Sequence, residues 1–235
     1  MALPVQKAPT FKCELPVSQL NVKYRPFLVK EQQHLLITRE SENQQEIFDA
    51  ILELIKSVTN GEVDASKLPM ADLEYLFLQI RAKSVGETVN VPFICQATPE
   101  CDGVHSEPID LTNVKVNTSE TLDNKIQIND ELIVELSPPS TKVVYSLQGK
   151  EEADMVMPLM RACLVRIYDA EEVYEMSDHR DAEIDEFVMS MTIEQFQKIS
   201  EYFESLPQLK HEIEYTCHKC GEENKVTLQG LQNFF

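Results

Sequence analysis

Glu212-Ile-Glu-Tyr-Thr-Cys-His-Lys-Cys-Gly221 alternates polar and apolar side chains as far as Thr216, then closes on a Cys-x-x-Cys step ending in glycine, with Val226–Leu228 following. Alternation on both sides of a tight turn predicts a strand, a knuckle and a return strand. Two thiolates at this spacing converge on one ion and supply half of a tetrahedral zinc site. The other half is expected on a second hairpin of the same plan. Cys95 and Cys101 fit, with Val89–Ile94 leading in and Pro108–Leu111 leading out. Five residues separate this pair, so Pro99 and the Asp102-Gly103 turn have to fold the longer loop back. His105 is a substitute ligand for Cys101, and His218 a weaker candidate. The predicted centre is a structural Zn2+ held by Cys95, Cys101, Cys217 and Cys220. Four reduced cysteines without metal, a disulfide or a catalytic thiol are the competing readings. Cys13 and Cys163 lack a nearby partner in sequence and read as arm and core thiols.

Outward from these hairpins the chain divides by period. Residues 1–27 hold Pro4, Pro9, Pro16 and Pro26 and read as an extended arm ending in a strand, Leu20 to Phe27. Residues 28–86 form a helical region. It comprises Val29–Arg39, Gln44–Thr59 with apolar Ile47, Ile51, Leu54 and Val58, and Met70–Lys83 with Leu73, Leu76, Phe77 and Ile80. Residues 87–145 carry the first Cys hairpin and further strands. Residues 146–206 read as an acidic helical insertion with helices Glu151–Tyr168, Asp181–Met191 and Ile193–Ser205. Thr192 and Gln195 resemble a capping box for the last. Residues 207–235 carry the second Cys hairpin and the tail. The expected class is α+β, helices combined with two zinc-ribbon-like β-hairpins that together form one metal knuckle.

Charge narrows the function classes. The 235 residues contain 21 Lys and Arg against 40 Asp and Glu, a net charge of −19. A surface this acidic repels phosphate backbones, so nucleic acid is not an expected partner. No apolar run reaches the ~18–20 residues of a membrane span. No charged segment leads into an apolar signal core at the N-terminus, so reduced thiols in a cytosol are expected. Residues 151–204 hold fifteen acidic and four basic side chains, together with six of the eight Met. They read either as solvated helix faces over Met core filler or as a docking surface for a basic partner, with Glu171, Glu172 and Glu175 as contacts. HExxH, GxSxG, P-loop and GxGxxG motifs are absent, and six glycines argue against phosphate-cradling loops. A catalytic zinc needs an open position, which four thiolates deny. A redox Cys-x-x-Cys sits at a helix N-terminus, whereas this one lies between predicted strands. Neither an enzyme nor a small-molecule substrate is expected.

Lys23-Tyr-Arg-Pro-Phe-Leu-Val-Lys-Glu31, Asp72-Leu-Glu-Tyr-Leu-Phe-Leu-Gln-Ile-Arg-Ala-Lys-Ser-Val-Gly-Glu87, the paired Cys hairpins and the closing Gly-Leu-Gln-Asn-Phe-Phe resemble the T4-type bacteriophage baseplate hub family, from about residue 10 to the C-terminus. The resemblance implies a non-enzymatic part in building the baseplate hub of a contractile tail, as assembly factor or hub component. It implies a late protein of the infected bacterial cytoplasm or the virion tail, whose partners are other baseplate hub proteins. Under it the four cysteines clamp segments more than a hundred residues apart. Arg81 and Lys83, read as exposed, are candidate contacts or local ion pairs to Glu74 or Glu87. Phe234 and Phe235 are candidates for docking on the domain or on a partner. The alternative is a zinc-ribbon adaptor of transcription or translation, which expects a basic face.

Overall fold

The computed structural model describes residues 7–41, 43–98, 100–117 and 123–230. In chain order it runs β1 (Phe11–Glu14), β2 (Asn21–Tyr24), α1 (Val29–Glu40), α2 (Gln44–Val58), α3 (Met70–Ser84), β3 (Thr88–Ile94), β4 (Val104–Asp110) and β5 (Lys115–Asn117). It continues through β6 (Lys125–Gln127), β7 (Ile133–Leu136), α4 (Thr141–Leu147), α5 (Glu152–Cys163), β8 (Leu164–Tyr168) and β9 (Val173–Glu175). It ends with α6 (Asp181–Met189), α7 (Ile193–Glu204), β10 (Gln208–Thr216) and β11 (Glu223–Gln229). Helices and small antiparallel sheets are mixed, an α+β arrangement. None of the described helices is long and apolar enough to cross a membrane. The described residues fall into two units, one within 1–65, 71–117 and 208–235, the other within 66–70 and 118–207.

In the first unit, α2 starts where the Asn43 side chain accepts the N–H groups of Gln45 and Glu46, and its Phe48, Ile51, Leu54, Ile55 and Val58 turn inward. It stops at Asn60 and Gly61, both at positive φ. The next helix, α3, is apolar nearly all round. Leu73, Leu76, Phe77, Leu78 and Ile80 are each at most 1% exposed. Ala71, Leu78 and Ala82 on α3 pack with Val89 and Val91 of β3, Ile109 of β4, Val116 of β5, Leu209 of β10 and Leu228 of β11. The sheet β11-β10-β5 and the hairpin β3-β4 thereby share one core with the helix. Asp72, fully buried in the first turn of α3, accepts the backbone N–H groups of Val17 and Ser18 at 2.8 Å each.

A second polar anchor joins the β2–α1 connection to α2. Arg25 donates to both carboxylate oxygens of Glu31, at 2.9 and 2.7 Å, while Ser57 and the Leu28 N–H donate to the same carboxylate at 2.7 Å. Burial alone would raise the Glu31 pKa, but these donors outweigh it and hold it at about 2 against an ordinary 4.5. A depressed folded-state pKa means the stabilisation is complete above 4.5 and is lost as pH falls through about 2. Acid titration of the folded fraction is expected to show this loss, and Glu31→Gln to remove it from the acid limb while lowering neutral-pH stability by roughly 2–3 kcal/mol.

The second unit is built on the sheet β6-β7-β8-β9. Val134, Leu136, Leu164 and Ile167 from its strands bury with Met160 of α5, Ile184 and Val188 of α6, and Ile199 and Tyr202 of α7. The sequence expectation of one helix over Glu151–Tyr168 is corrected here. Helix α5 ends at Cys163, and Leu164-Val-Arg-Ile-Tyr168 pairs antiparallel with β7. Its branched and aromatic side chains suit a pleated surface, and non-local pairing with β7 overrides the helical run before it.

Candidate metal centre

Two hairpins of the first unit bring their turns together. The register of β3 and β4 sets Phe93 opposite His105 and Ile94 opposite Val104, and Cys95 N–H donates to the Gly103 carbonyl at 2.8 Å. In the other hairpin Thr216 faces Glu223, Cys217 N–H donates to the Glu222 carbonyl at 2.9 Å, and Gly221 N–H returns to the Cys217 carbonyl at 2.8 Å. Gly221 sits at φ +78°, the left-handed conformation that lets the Cys-x-x-Cys turn close.

All four sulfurs of Cys95, Cys101, Cys217 and Cys220 lie within 4.8 Å of one another. The two short approaches, Cys95 to Cys220 and Cys101 to Cys217, are both 3.7 Å and both run between hairpins. A tetrahedron with Zn–S bonds of about 2.3 Å has edges of about 3.8 Å, so these separations match a tetrathiolate and are far too long for S–S bonds of about 2.0 Å. The backbone is fitted to the cluster as well. A Cβ at Gly103 would stand 3.0 Å from Cys217 Sγ and 3.4 Å from Cys101 Sγ, so a side chain there would press the sulfurs apart by a few tenths of an ångström. The donor set and the cradle fit a thiophilic divalent ion, and one held by all four sulfurs has no vacant tetrahedral position for a substrate.

Surrounding groups polarise and lock the cluster. Cys217 is pulled down to about 5 by the Cys220 backbone N–H, against the effect of burial, with His105 and the Lys219 N–H adding to it. The Glu222 N–H favours the Cys220 thiolate, but burial and the neighbouring sulfurs push that thiol up to about 12. His105 Nε2 stands 3.3 Å from Cys217 Sγ, outside the four-sulfur set, and its ring contacts Tyr215 and His218. His218 Nδ1 meets His105 Nδ1 at 3.3 Å, so both histidines border the sulfurs. Lys219 and Asp102 form an ion pair between the two knuckles.

Asn224, at an inward position of β11, is the functional residue that sequence reasoning missed. Its Oδ1 accepts Gln96 N–H and Ala97 N–H at 3.0 Å each, latching the longer first loop onto the second hairpin. The available signal was a polar residue at an inward position of an alternating strand. Pro99, expected to help fold that loop, lies outside the described residues.

The other candidates scatter. Arg81 is corrected from exposed to half-buried, and its Nη1 is buried without a hydrogen-bond partner among the described residues. The helix carrying it is covered on two sides, which an apolar stripe of one face does not reveal. Lys83 pairs with Glu87 at 2.5 Å. Glu171 and Glu172 are exposed on the β8–β9 turn, where their backbone N–H groups donate to Asp169 Oδ1. The Glu175 carboxylate accepts Arg166 Nε at 2.6 Å. Phe234 and Phe235 lie outside the described residues. Burial raises the thiols of Cys13, helped by the Asp72 charge, to about 11 and of Cys163 to about 12, which leaves neither poised as a nucleophile.

No curated protein and no solved structure matches the chain. The profile of the T4 bacteriophage base plate protein family matches residues 8–235, nearly the whole length, and covers most of the arm, the helices and both cysteine hairpins. The chain belongs to the T4 bacteriophage base plate protein family.

Proposed function

We propose that this baseplate protein acts without turnover in assembling the baseplate hub of a contractile tail, as an assembly factor or a hub component, through contacts with other hub proteins. The full-length family match carries the reading. The four-cysteine cluster where the two hairpins meet is compatible with it. A tetrathiolate Zn2+ on Cys95, Cys101, Cys217 and Cys220 would act as a rivet rather than a reaction centre. The net charge of −19 speaks against the alternative, a zinc-ribbon adaptor in transcription or translation, because that role needs a basic face. Quantitative mass spectrometry of purified virions against infected-cell lysate tests the assignment. A hub component is enriched in virions at fixed stoichiometry and an assembly factor is confined to lysate complexes with hub proteins. Absence from both overturns the reading.

The acidic 151–204 block supplies a further test. Rim charges act on association rate and its salt dependence, and the screening length falls from ~10 Å at 0.1 M salt to ~3 Å at 1 M. Association with hub components is expected to slow at least tenfold over that range with little change in dissociation. E171Q/E172Q is expected to reproduce part of the loss without moving the melting temperature, with Glu175 left on Arg166. Salt-insensitive association measured by biolayer interferometry reduces the block to a solvated face.

A further inference from the structure

Two apolar surfaces among the described residues lie open, and their surroundings carry opposite charge. The first is on α1. The helix turns Glu31, His34 and Leu35 towards Ala50, Glu53 and Leu54 of α2. Its opposite side presents Val29, Gln33, Leu36 and Ile37, the i, i+4, i+7, i+8 spacing of a single helical face. Val29, Leu36 and Ile37 are 71, 45 and 68% exposed, and no residue of α1 is buried. Lys30, which also lines the α1–α2 side, and Arg39 border this stripe, and exposed Glu40 closes its C-terminal end. Residues 7–41 hold six Lys and Arg against three Glu, a basic region in a strongly acidic chain.

The second surface is a groove of about 230 Å³ in the acidic unit. Leu132, Ile167, Tyr174, Met176, Ile184 and Phe187 form its walls, with His179 and Glu183 at the lip. Exposed Glu171, Glu172, Asp178 and Glu186 neighbour these lining residues in sequence. The nearby bases are spent locally, Arg180 on Glu183 at 3.1 Å and Arg161 on Asp185.

We propose that α1 of one copy docks over this groove of a second copy, head to tail, with apolar side chains of its stripe filling the groove. An amphipathic helix seated in an apolar groove is a recurrent recognition mode read from residues one and two turns apart. Here the basic flanks of the stripe meet the acidic surroundings of the groove, which fixes orientation and speeds encounter. The two patches differ, so the contact is heterologous. Each joined pair keeps one free stripe and one free groove, and growth continues until a ring closes.

Sedimentation velocity on the full-length, zinc-replete chain alone tests this, so its failure leaves the hub reading standing. At low salt the mass is expected to rise with concentration beyond one chain, and the association to weaken at least tenfold between ~0.1 M and ~1 M salt. V29D/I37D and E172K/E186K are each expected to stay monomeric where the parent associates, with melting temperatures near the parent's. Mixed in equal amounts, the two variants are expected to form a heterodimer and stop there, because each retains one intact patch. If V29D/I37D fails to fold, K30E/R39E takes its place, and combining it with E172K/E186K is expected to restore association by swapping the charges. A parent chain that stays monomeric at every concentration overturns the proposal. So does a groove variant that self-associates normally while the stripe variant does not, which would mean that two α1 stripes pair with each other.

Discussion

Cys220→Ser is expected to abolish metal retention and to cost about 5 kcal/mol or more of folding stability, a large part of the roughly 10–16 kcal/mol that structural zinc contributes in small zinc modules. Four sulfurs within 4.8 Å of one another give the reason. Removing one leaves an incomplete donor set at the junction of two hairpins that a structural ion would otherwise hold together. Elemental analysis of the parent purified without chelator is expected to return one zinc per chain, and of Cys220→Ser close to none, with the melting transition moving down accordingly. Cys13→Ser should retain the metal, since Cys13 belongs to β1 and not to the sulfur cluster. A stable, metal-free parent with four freely titrating thiols at these positions would sink the zinc assignment.

The second large effect is expected at Asp72. Its carboxylate is 0% exposed and accepts both the Val17 and Ser18 N–H groups, so truncation strands two backbone donors where the N-terminal segment meets α3. Each stranded donor costs about 1–3 kcal/mol, so Asp72→Ala is expected to lose roughly 2–6 kcal/mol. Asp72→Asn, which keeps one acceptor oxygen, should lose about half of that. Urea titration gives the readout, a lower midpoint with an unchanged slope. A midpoint within error of the parent for Asp72→Ala would show that water replaces the carboxylate.

The Cys-x-x-Cys knuckle was legible because its spacing, its closing glycine and its flanking alternation are all local. The wider Cys95–Cys101 pair could be matched to it by hairpin plan alone. What stayed hidden depends on distant partners. Gly103 looks like an ordinary turn glycine until Cys217 Sγ is placed beside it, and Asn224 looks like a surface residue until two amides from the other hairpin point at it. Strand β8 follows a Met-rich helical run with no glycine or proline between them, so nothing local marks the change at Leu164. Arg81 was misjudged for a related reason. Small residues at Ala71 and Ala82 let a second surface close on α3, and alanines carry little weight in an apolar-stripe count.

The Cys95–Cys220 approach spans 125 positions of sequence, and during synthesis that distance becomes time. Once Cys95 and Cys101 have been made, the ribosome still adds more than a hundred residues before Cys217 and Cys220 exist. At about 5–20 residues per second this interval lasts several seconds to tens of seconds. Throughout it, the first loop offers only two sulfurs and lacks the Asn224 latch that holds it in place. Capture of an ion by all four sulfurs would therefore be one of the last events in making the molecule. A chain carrying an ion on all four sulfurs would, by that fact, have been read through Cys220, and the rivet would serve as a completion mark that a chain truncated before Cys220 could not carry.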